Sequence, residues 1–190
     1  MRKIIMAMAL LLGAGVAVAQ EHIEFKWYGL YSVVEYSYAV NVNEQYGNVS
    51  FSEMTGIVGF QIRKETAVGF GVTYMKEPTD GYTQLPIYIE LRSHYTRSRL
   101  TPFTQVQLGY SFPVGLSNGG DEQVSINKGG TFFGLAGGAR FAITPKFGVS
   151  VHAGYQMVLL NDVEFIHEGL IAERKPVLFH VLRGGVGINF

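Results

Sequence analysis

Arg183-Gly184-Gly185-Val186-Gly187-Ile188-Asn189-Phe190 closes the chain, and it alternates. With Leu182 added, Gly184, Val186, Ile188 and Phe190 fall on one face of an extended strand. Arg183, Gly185, Gly187 and Asn189 fall on the other, because successive side chains on a strand point to opposite faces. One face is apolar and ends in an aromatic ring; the other carries a charge, an amide and glycines. The same period of two recurs upstream. Leu85, Ile87, Ile89 and Leu91 alternate with Pro86, Tyr88, Glu90 and Arg92. Phe147, Val149, Val151, Ala153, Tyr155 and Met157 alternate with Gly148, Ser150, His152, Gly154 and Gln156. Helical periodicity is weak throughout, so the chain reads as all-β.

The opposite end of the chain bears on compartment. Arg2 and Lys3 precede an apolar run from Ile4 to Val16, and Ala17-Val18-Ala19 offers a small-residue cleavage site. The run is shorter than the ~20 residues a spanning helix needs, so it reads as a secretion signal over 1–19, with 20–190 as the mature domain. The formal charge is +0, and removing two basic residues leaves the rest slightly acidic, which gives no footprint for nucleic acid. Cysteine is absent, so disulfides do not hold the exported chain together. The 24 glycines and 13% aromatics instead suit strands closed on themselves and flanked by aromatic belts.

Eight strand segments are expected: Lys26–Val40, Glu53–Arg63, Thr66–Met75, Tyr82–Ser93, Thr101–Phe112, Gly130–Ile143, Lys146–Val158 and Val177–Phe190. Their connections alternate. Lys64-Glu65, His94–Leu100 and Thr144-Pro145 are short, while Asn41–Ser52, Lys76–Gly81, Pro113–Gly129 and Leu159–Pro176 are mostly longer. Ten residues at ~3.3 Å each, tilted near 45°, rise about 23 Å, matching a lipid-facing band of ~25 Å. On the apolar faces, Tyr36, Tyr38, Tyr74, Tyr110, Phe112, Phe133 and Tyr155 sit toward the long connections. Tyr28, Phe60, Phe141, Phe147 and Phe190 sit toward the short ones, with aliphatic residues between the two rings. The fold class expected is an eight-stranded antiparallel up-and-down transmembrane β-barrel. Pro78, Pro102, Pro113, Pro145 and Pro176 fall in connections or at strand ends. Pro86 falls inside a strand and is expected at the outer rim, where the ladder is already weak.

These segments resemble small outer-membrane barrels of the outer-membrane protein A transmembrane-domain and outer-membrane protein X type. Leu85–Arg92 and Leu108-Gly109-Tyr110-Ser111-Phe112-Pro113 are similar to the broad outer-membrane β-barrel or porin-like families. The last strand resembles the assembly signal of such barrels in Arg183, Gly185, Ile188 and Phe190. That resemblance implies recognition by the barrel assembly machinery and a home in outer-membrane lipid. It implies little about activity, since one fold hosts many functions.

Any chemistry belongs to the inward face. Glu35, Gln61, Arg63, Glu90, Arg92, Gln105, Gln107, Arg140, His152, Gln156 and Arg183 share the parity opposite the apolar face. An eight-stranded barrel has room for side chains and little else. Glu35, Glu90, Arg92, Arg140 and Arg183 are therefore expected to form a lumen ionic network, with inward glycines making room for the arginines. Two acids against three arginines predict a positive excess and an anion-favouring leak. A narrow channel for small solutes is the alternative. Ser150 and His152 share a face, and Glu35 or Glu90 would complete a Ser-His-acid set, but inward parity hides them from lipid substrates. No catalytic residue is assigned. The five histidines show no close pair spaced for a metal, so no metal or cofactor is expected. His180 falls on lipid-face parity, either above the apolar band or displaced by a bulge. A soluble lipocalin-like carrier would need the reverse, an apolar lumen. The long connections leave a surface ligand open.

Overall fold

The computed structural model describes residues 29–43, 49–63, 65–78, 83–96, 98–114, 122–144, 146–167 and 170–190, with backbone alone at 122–127, 162–167 and 170–175. The proposed signal segment and Tyr28 lie outside the described residues. Nine strand segments make one antiparallel sheet: β1 (Gly29–Asn41), β2 (Ser50–Gln61), β3 (Thr66–Lys76), β4 (Thr83–His94), β5 (Leu100–Pro113), β6 (Glu122–Lys128), β7 (Gly130–Ala142), β8 (Gly148–His167) and β9 (Leu170–Asn189). β6 and β7 are two parts of one stave. Phe132 lies opposite Val158 and Lys128 opposite Asp162, so the same register runs through Gly129. The pairing of β1 with β9 closes eight staves into a barrel. Ser32 and Phe190 fasten that seam by exchanging N–H···O bonds of 3.2 and 2.8 Å.

The wall is inside out relative to a soluble protein. Ile89 is 62% exposed, whereas Glu90 beside it is 0% exposed. Val34, Met54, Val58, Phe70, Val106, Leu108, Leu135, Val151, Leu182 and Val186 also face outward, so that with Ile89 every stave contributes at least one. A continuous apolar exterior of this kind is unstable in water and suited to lipid.

Two stretches read as loops are strand. β8 and β9 run on to 20 residues each, so most of the Leu159–Pro176 connection is ladder. β6 lies within the Pro113–Gly129 connection and pairs with the extension of β8. Their sequence hid them for a physical reason: the extensions stand beyond the apolar band, where no lipid face imposes alternation. Pro176 marks the transition. The β8–β9 register shifts between Leu160 and Val163, opposite Pro176, and a bulge is a place where a missing N–H is tolerated.

Pro86 sits on the inward face near the long-connection end of β4. The β3–β4 ladder is broken there: pairing stops at Val72 with Ile87 and resumes at Met75 with Gln84. The other side stays paired, Pro86 with Ser111. The ladder thus gives way on the β3 side alone.

Candidate functional site: the barrel lumen

Parity places Glu35, Glu90, Arg92 and Arg183 inside, and all four are buried. The Arg92 guanidinium is the hub. Its Nε donates to Glu90 at 2.8 Å, and one terminal nitrogen donates to Glu35 at 2.9 Å and to Gln105 at 2.7 Å. Gln107 extends the chain, donating to Glu90 at 2.9 Å and accepting from Arg183 at 2.9 Å. Arg183 reaches Glu53 at 3.7 Å. Gln156, with its amide set to satisfy both neighbours, donates to Glu53 and accepts from Arg183, each at 2.8 Å. The network therefore ties β1, β2, β4, β5, β8 and β9 together across the lumen.

Three features depart from the reading of the sequence. Glu53, 0% exposed, belongs to the network and was not among its expected members. It has the same parity as Gln61 in β2, and that signal was available. Glu35, Glu53 and Glu90 now stand against Arg92, Arg140 and Arg183, so the expected positive excess, and with it the anion-favouring leak, has no basis. The contacts above run without Arg140. It lies nearer the short-turn end, level with Thr101 and Ser150, with its Nε beside Gly148. Arg63 is exposed in the β2–β3 turn rather than inside.

Several of the inward glycines seat rings rather than arginines. A Cβ on Gly71 would run into the Tyr88 ring, and one on Gly109 into the Ile87 carbonyl oxygen and the Tyr88 Cα and Cβ. Both glycines are direct register partners of Tyr88. Gly59 and Gly69 are filled by Tyr31, and Gly138 by Phe103 and His152. Gly148, against Arg140, fits the original expectation. Large rings seated on cross-strand glycines fill a narrow barrel without straining its wall.

Toward the long-connection end the lumen turns apolar. Ala39, Phe51, Met75, Tyr88, Phe132, Val158, Leu160, Val177 and Val181 pack into one buried cluster. Tyr88 stacks on Phe132 at 5.2 Å between ring centroids. Phe51 and Leu160 fall in stretches read as connections; the others share inward parity, and the premise of a polar lumen hid their sum. The filling is therefore two-layered: an apolar plug above an ionic network.

The Ser-His-acid set takes a different form from the one weighed above. Ser150 accepts from Asn189 at 3.0 Å, and the hydroxyl next to His152 belongs to Ser37, 3.0 Å from Nε2. Glu35 approaches the same nitrogen at 3.9 Å, and Nδ1 has no hydrogen-bond partner. A relay needs the acid on one ring nitrogen and the nucleophile on the other. This cluster puts both on one, inside a closed wall. Among the described residues no group of acids and histidines is arranged to hold a metal.

Outside, His180 pairs with Met157 in unbroken register, so no bulge displaces it. Its Nδ1 is hydrogen-bonded to the Tyr155 hydroxyl on the lipid-facing wall. A shallow groove of about 620 Å³ lies below that pair, lined by Thr104, Leu135, Gly137, Ala153, Tyr155 and Leu182. It opens away from the lumen.

No protein-family model and no curated protein sequence matches the chain. Solved structures do. The chain is similar to the crystal structure of Neisserial surface protein A, with a TM-score of 0.56 and 16% identity over 85% of this chain and 96% of that one. It is similar to outer membrane protein OprG from Pseudomonas aeruginosa, with 0.55 and 13% over 89% and 99%. Outer membrane protein AlkL, solved in lipid bilayers, gives 0.52 and 14% over 90% and 93%. At these identities the likeness concerns the fold, which is that of small outer-membrane barrels.

Proposed function

We propose that this chain is an integral outer-membrane barrel with a closed lumen, acting through its structure and its outer surface rather than by transport or catalysis. The observation that carries the reading is the two-layered filling of the lumen. Arg92, Tyr88, Phe51, Phe103 and Phe132 are all almost wholly buried inside a wall whose exterior is apolar. A solute would have to part both the ring cluster and the ion pairs. The long connections supply the surface. β6, β8 and β9 continue past Leu160 as a three-stranded sheet, adding roughly 20 Å of strand beyond the rim. Export through the proposed signal 1–19 and insertion by the assembly machinery place that sheet outside the cell and the short turns in the periplasm. Arg183, Gly185, Ile188 and Phe190 are the residues that machinery would read. The ring at Phe190 packs against Phe147 at 5.7 Å on the wall.

The test is localisation with orientation. Separated membranes should carry the protein in the outer fraction, as a band whose gel mobility changes on boiling. Protease added to intact cells should cut within 161–176 and spare the short turns. Recovery in the soluble periplasm, or cleavage confined to permeabilised cells, would contradict the proposal.

A further inference from the structure

The three short turns carry Arg63, Lys64, Arg97, Arg99 and Lys146 against the single acid Glu65. At the other end the balance reverses: the long connections hold Glu44, Glu77, Asp80, Asp121, Glu122, Asp162, Glu164, Glu168 and Glu173 against four basic residues. By sequence, the short and the long connections thus carry opposite net charge.

Arg99 is fixed in a particular way. Its guanidinium lies over the Phe141 ring at 4.8 Å, and its Nε donates to the Ala142 carbonyl at 3.2 Å. The Ala142 N–H donates back to the Arg99 carbonyl at 2.8 Å. Phe141 belongs to the outward parity of β7, in the aromatic ring nearest the short turns. The cation therefore lies along the wall at girdle height, where lipid headgroups begin. The neighbouring hairpins are well braced. Ile143 donates to Phe147 at 3.0 Å, Ile62 donates to Thr66 at 3.0 Å, and the Gln61 amide donates to the Arg63 carbonyl at 2.9 Å. Arg63 and Lys146 are exposed on them.

We propose that the short-turn rim binds the anionic headgroups of phospholipids in the adjoining leaflet, with Arg99 as its positioned member and Arg63 and Lys146 as flanking charges. A soluble acidic partner would be met by cations projecting into water. A guanidinium laid on a lipid-facing ring instead meets phosphate at the membrane surface, and a fork of N–H donors suits it. The proposal rests on the reading of the wall as membrane-spanning.

The experiment inserts the purified chain into vesicles of phosphatidylcholine and phosphatidylglycerol in equal parts. It then extracts the barrel gently and counts retained lipids by native mass spectrometry. Phosphatidylglycerol should be enriched over phosphatidylcholine. Arg99→Gln should lower that enrichment roughly fivefold, as expected for one basic residue at an anionic surface. Arg63→Gln and Lys146→Gln should lower it by less. Lys76→Gln and Lys128→Gln at the opposite rim should leave it unchanged. Equal retention of the two lipids by a barrel whose gel mobility still changes on boiling overturns this proposal alone, as does an unaltered Arg99→Gln. Failure to insert into these vesicles overturns the membrane reading and this proposal with it.

Discussion

At the scale of single residues, the lumen is governed by partnership. Arg92 is buried, and bonds to Glu35, Glu90 and Gln105 offset its desolvation. Removing one buried partner leaves the other charge uncompensated, at about 3–5 kcal/mol. Glu90→Ala is therefore expected to lower unfolding free energy in micelles by that amount, read from urea titration. Glu53→Ala should cost nearly as much through Arg183, although Glu53 was not foreseen as a member. A loss under 1 kcal/mol at both sites would mean that the pairs are wet. Glycine seats give a second residue-scale expectation. Gly71→Ala places a methyl against the Tyr88 ring, and overpacking of this kind costs typically 1–3 kcal/mol. Adding Tyr88→Leu should recover part of the loss. If the double variant is as unstable as the sum of the singles, the two positions do not share one packing site.

Between residues and the whole lie the strands, and here legibility followed the membrane. Wherever lipid lies on one side and packed side chains on the other, alternation is enforced, and β1 to β5, β7 and the lower parts of β8 and β9 were readable from it. Beyond the rim the constraint lapses. β6 and the upper β8–β9 ladder carry polar residues on both faces, and Pro176 looked like a terminator although it sits at a bulge. The lumen was legible in its charges, because Glu90 and Arg92 stand out on an otherwise apolar strand. Its apolar layer was not, because Phe51 fell in a stretch read as a connection and Phe132 resembles any other strand aromatic until three-dimensional register brings them together. The last strand yields its own expectation. Phe190→Ala keeps the backbone bonds to Ser32 and loses the ring contact with Phe147. Folded protein in cells should fall more steeply than the stability of refolded samples, if the assembly machinery reads the ring. Equal effects in both would reduce Phe190 to one girdle contact.

For the whole molecule, the exterior and the interior exchange their usual roles. The apolar wall solves the problem of lipid, and the ion pairs solve the problem of charges buried among packed side chains. Depth dependence checks the first half. Val106→Arg, in mid-wall between Leu91 and Leu135, should cost about 2–4 kcal/mol in lipid. Ile62→Arg, at the short-turn edge, should cost about 0–1 kcal/mol by the same depth rule. Equal costs would argue against a bilayer around this wall. The closed lumen is the central claim, and single-channel recording in a planar bilayer tests it most directly. The unmodified protein should insert without steady conductance, while Glu90→Ala combined with Tyr88→Ala, which breaks the ionic hub and the ring cluster together, should show openings. Steady, long-lived conductance from the unmodified protein would contradict the closed lumen and put a narrow solute channel in its place.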